Sequence, residues 1–115
     1  MTWLRLDDDF PDHPRIIGLS DTAFRTYVTG LCYCGRHLTD GDIPTGALRA
    51  IGPRRAAQEL EAAGLWLRTD HGWAVRDYLH YQASRADVEA EKERKRTAGR
   101  AGGLRKAENT RRRTG

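Results

Sequence analysis

The sequence predicts a small α+β domain, mainly helical, followed by a charged helical extension. Three observations carry this. Apolar residues between Ser20 and Leu38 recur at spacings of three and four, the mark of an amphipathic helix. Between Gly64 and Tyr78 two short runs rich in β-forming residues flank Asp70-His71-Gly72, which reads as a hairpin. After Ala83 large apolar side chains all but stop while Arg, Lys and Glu become dense, so that stretch has nothing with which to build a core.

In chain order, Trp3, Leu4 and Leu6 suit a short strand or a plug for the core, and Pro11 and Pro14 break regular structure after them. Arg15 to Leu19 should form one helical turn packed through Ile16, Ile17 and Leu19. Ser20 is placed to cap the first long helix, with Asp21 in its first turn where a negative charge suits the helix dipole. Phe24, Val28, Leu31, Gly35 and Leu38 make its apolar stripe with Tyr27 beside it, and Arg25, Thr29 and Arg36 make the wet face. Asp40-Gly41 is a turn, and Ile43 is pushed into an extended conformation by Pro44. Thr45 is then placed to cap a short helix, Gly46 to Ile51, that buries Leu48 and Ile51. Pro53 opens the next helix, in which Ala56, Ala57, Leu60 and Ala63 face inward while Arg54, Arg55, Gln58 and Glu61 face out. Gly64 ends it in a left-handed cap.

Two strands follow, Leu65 to Thr69 and Trp73 to Tyr78, with Tyr78, Leu79 and Tyr81 folding back to close the core. Ser84 and Asp87 form a capping box for a last helix. That helix pairs Glu89 with Lys92, Glu91 with Lys95 and Glu93 with Arg96. With only Val88 to bury before Leu104, it should project into solvent, fray toward Gly99 and lose order beyond. The resulting order of helix, extended piece, helix, helix and hairpin is that of a winged helix-turn-helix over residues 1–83. Residues 84–115 form a basic helical-to-disordered tail.

Composition narrows the function classes. Residues 1–83 hold nine Lys+Arg against eleven Asp+Glu, net −2, whereas residues 84–115 hold eleven against five, net +6. A near-neutral globule with a cationic arm is a layout suited to nucleic acid; a tail that merely confers solubility is the alternative. No apolar run approaches the ~18 residues of a membrane span, and the acidic N-terminus has no apolar signal-type segment. A cytoplasmic protein with two free thiols is the expectation.

The helix opened by Pro53 is the candidate recognition helix. Arg54 and Arg55 have the chemistry to grip guanine or phosphate, and Gln58 that to read adenine. Against this stand Glu59 and Glu61 close by, so protein contact or pure scaffolding stays open for the same helix. At the tip of the hairpin, Arg68, His71 and Arg76 suit phosphate or a minor groove, or are simply solvated. In the tail, Arg94, Lys95, Arg96, Arg100, Arg105, Lys106, Arg111, Arg112 and Arg113 can neutralise phosphates without reading sequence. The tail has no aromatic residue for stacking single-stranded bases, so double-stranded DNA is the expected partner.

Cys32 and Cys34, two residues apart on a helix, point about 200° away from each other. His37 adds at most a second ligand on the Cys34 side, so core thiols are expected and not a metal site. Asp7, Asp8, Asp9 and Asp12 are acidic enough for a cation but have no evident partner acid. Neither a phosphate loop nor a nucleophile-base motif occurs, so no enzyme, cofactor or small-molecule substrate is expected.

The segments WLRLDDDFPDHPRIIGL, LTDGDIP, ELEAAGLW and VRDYLHYQASRADV resemble the N-terminal winged-helix domain of phage and prophage replisome-organiser proteins. These are related to the primosomal helicase loaders, and small actinobacterial and actinophage proteins share the pattern. The likeness runs from about Trp3 to Val88, with GLW and DYLHYQ its most specific parts. It implies DNA binding or self-association during replication initiation and helicase recruitment. Replisome organisers carry a second, helical domain for DNA and helicase contacts that has no counterpart in these residues. The resemblance therefore implies a non-enzymatic DNA-binding accessory or regulator of phage or mobile-element type. The alternative it leaves is an interaction module that self-associates or docks on a replication protein.

Overall fold

Seven elements follow a turn-rich N-terminal segment in the computed structural model, which describes residues 3–114, with side chains over residues 3–100. The elements are α1 (Asp21–His37), β1 (Asp42–Pro44), α2 (Arg54–Ala62), β2 (Trp66–Arg68), β3 (Gly72–Val75), α3 (Tyr78–Tyr81) and α4 (Arg85–Thr114). A 3₁₀ turn, Phe10–Asp12, precedes α1, and a 3₁₀ segment, Thr45–Ala50, links β1 to α2. The fold is α+β and mainly helical, with one small antiparallel sheet of strand order β1-β3-β2. Contacts divide the chain into two compact units, Met1–Ser84 and Arg85–Gly115.

Helix α1 starts where Ser20 accepts a hydrogen bond from the Ala23 amide, 3.2 Å, and ends on Leu38 in a left-handed conformation (φ 53°). Its buried face is Ala23, Thr26, Tyr27, Gly30, Leu31, Cys34 and Gly35. This corrects the expected stripe: Phe24 and Val28 are only half-buried, and Leu38 lies outside the helix. The physical reason is close packing. Small side chains let the Trp66 indole approach the backbone of α1, where a Cβ on Gly30 would stand 2.9 Å from Trp66 Cζ2. A reading weighted by side-chain size keeps Tyr27, Leu31 and Gly35, which are buried, but sets the face too far toward Phe24 and Val28.

Strand β3 is central. It pairs Trp73 with Ile43 of β1 on one side and with Arg68 of β2 on the other. Gly72 opens it because a Cβ there would meet Ile43 O at 2.1 Å and Thr45 N at 2.7 Å. Trp66 and Trp73 lie 5.8 Å apart between ring centres and, with Ile43, Leu60 and Ala57, form the centre of the core.

Other expectations change in detail. The Arg15–Leu19 piece is a hydrogen-bonded turn that buries Ile16 but leaves Ile17 67% exposed. Thr45 does not cap a helix; its hydroxyl and amide both donate to the His71 carbonyl. Of the three residues expected to fold back onto the core, Tyr78 alone does so, and Leu79 and Tyr81 are exposed. Trp3 is exposed and outside any strand, whereas Leu4 packs at Gly35. The N-terminal segment is held by Gln82, which bonds both backbone groups of Arg5 at 2.8 and 2.7 Å.

The second unit consists of α4, which continues past Gly99, where fraying was expected. Ala, Arg, Lys and Glu are strong helix formers. Ion pairs Arg85–Glu89, Glu91–Arg94 and Glu93–Arg96 run along its surface. Among the described residues, no helix is long and apolar enough to cross a membrane.

Candidate nucleic-acid interface

Helix α2 owes its orientation to three inward side chains, Ala56, Ala57 and Leu60, buried against α1 and the sheet. At ~100° per residue the opposite side must carry Arg54, Arg55, Gln58 and Ala62, and all four are exposed. Among the described residues, no carboxylate pairs with Arg54 or Arg55.

Glu59 and Glu61 flank this face, and both are engaged elsewhere. Glu59 accepts from the Ser20 amide and hydroxyl, each at 2.8 Å. It thereby joins α2 to the N-terminus of α1, where a negative charge is favoured by the helix dipole. Glu61 accepts from the Trp73 indole N–H and ties α2 to β3. The carboxylates that argued in the sequence against a phosphate-facing helix are thus spent on tertiary joints. What remains outward is two guanidiniums and one amide.

The turn between β2 and β3 is tight. The Thr69 amide donates to Gly72 O at 2.9 Å, and the Gly72 amide donates back to Thr69 Oγ1 at 3.1 Å. Asp70 and His71 form the tip, and both are exposed. Thr45 holds the His71 carbonyl through N–H and O–H at 2.8 and 2.9 Å, so the tip is pinned to the segment that leads into α2. Arg68, near the tip, lies over the Trp73 ring at 4.8 Å. Arg76 is elsewhere. It follows β3 at the end away from the turn, roughly 13 Å along at ~3.3 Å per residue, where it meets Asp77 at 3.9 Å. The three hairpin residues therefore do not form one group.

Arg94, Lys95, Arg96 and Arg100 are exposed on α4, with Arg94 and Arg96 paired to acids of their own helix. Arg105, Lys106, Arg111, Arg112 and Arg113 lie outside the residues whose side chains are described. One cation was missed in the sequence: Arg49, exposed in the last turn of the 3₁₀ segment just before α2. Its signal was its place at the end of the first helix of the pair.

Neither cysteine is in a disulfide; Cys34 is fully buried, and burial raises its thiol pKa above the ordinary range. The carboxylates of Asp7, Asp8 and Asp9 come within 4.8 Å of one another and are exposed. No protein-family model, curated protein or solved structure matches the chain. Functional reading rests on this geometry.

Proposed function

We propose that the chain is a non-enzymatic, double-stranded-DNA-binding protein built on a winged helix-turn-helix, with α2 as recognition helix and β2–β3 as wing. The carrying observation is the outward face of α2, where Arg54, Arg55 and Gln58 stand clear while Glu59 and Glu61 are bound to Ser20 and Trp73. The element order and the β1-β3-β2 sheet support the same reading, because in such domains the second helix of the pair enters the major groove. Arg68, His71 and Arg49 would touch flanking phosphates, and the +6 tail would supply most of the affinity. The sequence resemblance to replisome organisers supports a cytoplasmic role as an accessory of replication initiation, or a regulator of it, of phage or mobile-element type.

A mobility-shift titration at two salt concentrations tests this, on the full chain and on one stopped after Ala83. With about six tail-phosphate contacts, full-length affinity falls roughly a thousandfold between 50 and 200 mM salt. The shorter chain binds weakly, with a flatter salt response, and keeps some sequence preference. A second reading, as an interaction module, is favoured by the exposed apolar side chains Trp3, Leu6, Leu79 and Tyr81. Under it neither chain shifts DNA, and both elute as oligomers on sizing.

A further inference from the structure

A cavity of about 320 Å³ opens between the N-terminal segment, α1 and the base of the hairpin. Its walls include Phe10, Ile16, Leu31, Leu65 and Val75, and Phe10 stacks on Tyr27 with ring centres 5.7 Å apart. Arg15 and Arg76, both exposed, also line it. Their Nη1 atoms lie 3.0 and 3.6 Å from the point where a Cβ on Gly64 would stand. Two guanidiniums thus converge on the C-terminal end of α2, and a single carboxylate can span them. Arg15 donates to Gly64 O at 3.2 Å, which uses one of its five N–H groups.

We propose that this cavity binds a small aromatic monoanion, its ring against Phe10, Leu65 and Val75 and its carboxylate bridging Arg15 and Arg76. Size favours a ligand of one or two rings, since the volume sits at the bottom of the ~300–1,000 Å³ range of small-molecule pockets. Charge favours a single negative group. Asp7, Asp9 and Asp77 line the cavity together with Arg5, Arg15 and Arg76, so a polyanion would meet as much repulsion as attraction. The paired guanidiniums still give one carboxylate a bidentate seat. Tyr27 supplies a neutral phenol that can donate a hydrogen bond. Its pKa is raised above the ordinary value by burial first, then by Tyr81 and Asp77. The site does not depend on the DNA-binding reading, because none of these residues belongs to the outward face of α2.

The test is a titration of the full ¹⁵N-labelled chain with indole-3-acetate, monitored by amide shifts, with indole-3-ethanol and inorganic phosphate as controls. Indole-3-acetate should shift the amides of Ile16, Leu31, Leu65 and Val75 saturably, and both controls should bind at least tenfold more weakly. Arg76→Gln, whose side chain makes only a long surface pairing with Asp77, should weaken binding about tenfold while the rest of the spectrum is kept. Arg15→Gln should do the same, with folding checked by circular dichroism. The proposal is overturned if indole-3-ethanol binds as tightly as the acid. It is also overturned if shifts fall only on α2 or α4, if no cavity amide moves at millimolar ligand, or if a folded Arg76→Gln chain keeps full affinity.

Discussion

Replacing Glu59 by alanine separates the structural role of α2 from its proposed surface role, because the two respond with opposite sign. The carboxylate accepts two hydrogen bonds of 2.8 Å from Ser20, at the first turn of α1. Charge-assisted bonds contribute about 1.5–3 kcal/mol each when buried, but this pair is exposed, so solvent screening reduces them to about 0.5 kcal/mol apiece, about 1 kcal/mol together. The favourable placement of a negative charge at a helix N-terminus adds roughly 0.3–1 kcal/mol. Glu59→Ala should therefore cost about 1–2 kcal/mol. In a domain of this size that lowers Tm by roughly 4–8 °C per kcal/mol. DNA affinity should move the other way. A charge removed about 10 Å from a phosphate, in water, is worth about 0.4 kcal/mol, or near twofold tighter binding at low salt. Thermal denaturation and a fluorescence-anisotropy titration, run well below Tm, measure the two effects. An unchanged Tm would refute the clamp. Weaker DNA binding by a fully folded variant would refute the placement of phosphates beside α2.

Gly72→Ala should be far more damaging. Its new methyl would meet backbone at Ile43 O and Thr45 N, 2.1 and 2.7 Å away, so β1 and β3 must part, at a cost of ~3 kcal/mol or more. Gly46→Ala, with open space around it, is the control and should stay within about 1 kcal/mol of the parent in a urea titration. Trp73→Phe removes the indole N–H that donates to Glu61 and leaves a smaller phenyl ring under Arg68. It should lower stability by about 1–3 kcal/mol, and an unchanged urea midpoint would count against the joint. Burial, with Cys34 and Asp40 nearby, pushes the Tyr78 phenol up to about 12. Its neutral form is thus favoured by folding: the stabilisation is complete below pH 10 and is lost as pH rises from about 10 to about 12. At ~1.36 kcal/mol per unit the loss is about 2–3 kcal/mol, and Tyr78→Phe should flatten that part of the stability curve.

Much of the fold was legible because its signals are local. Ser20 as a cap, Gly64 as a left-handed stop (φ 75°) and the hairpin around Asp70–Gly72 each depend on a few adjacent residues. The inward side of α2 was equally readable, since three of its four expected positions are buried and Ala63 is half-buried. What failed depends on contacts between residues far apart. The rotation of α1 is set by Trp66 against Gly30. Arg76 was grouped with the hairpin tip because sequence proximity hides the direction in which β3 runs. Nothing local tells that Glu59 would reach Ser20, thirty-nine positions away.

A unit of this size is marginal on apolar burial alone, and polar cross-links supplement its core. Ser20–Glu59, Trp73–Glu61, Thr45–His71 and Arg5–Gln82 each join elements distant in sequence. Two of these four joints engage the only acids on α2, so the bonds that hold the helix in place also aim both carboxylates at Ser20 and Trp73 instead of outward beside Arg54, Arg55 and Gln58, while their charges remain. The unit as a whole remains near neutral, net −2 over residues 1–83. Long-range attraction to a polyanion must then come from elsewhere in the chain, and the +6 of residues 84–115 is the only reservoir of the right sign. On the proposed reading the labour divides accordingly: the tail governs how strongly and how salt-dependently the protein binds, and the face of α2 governs where.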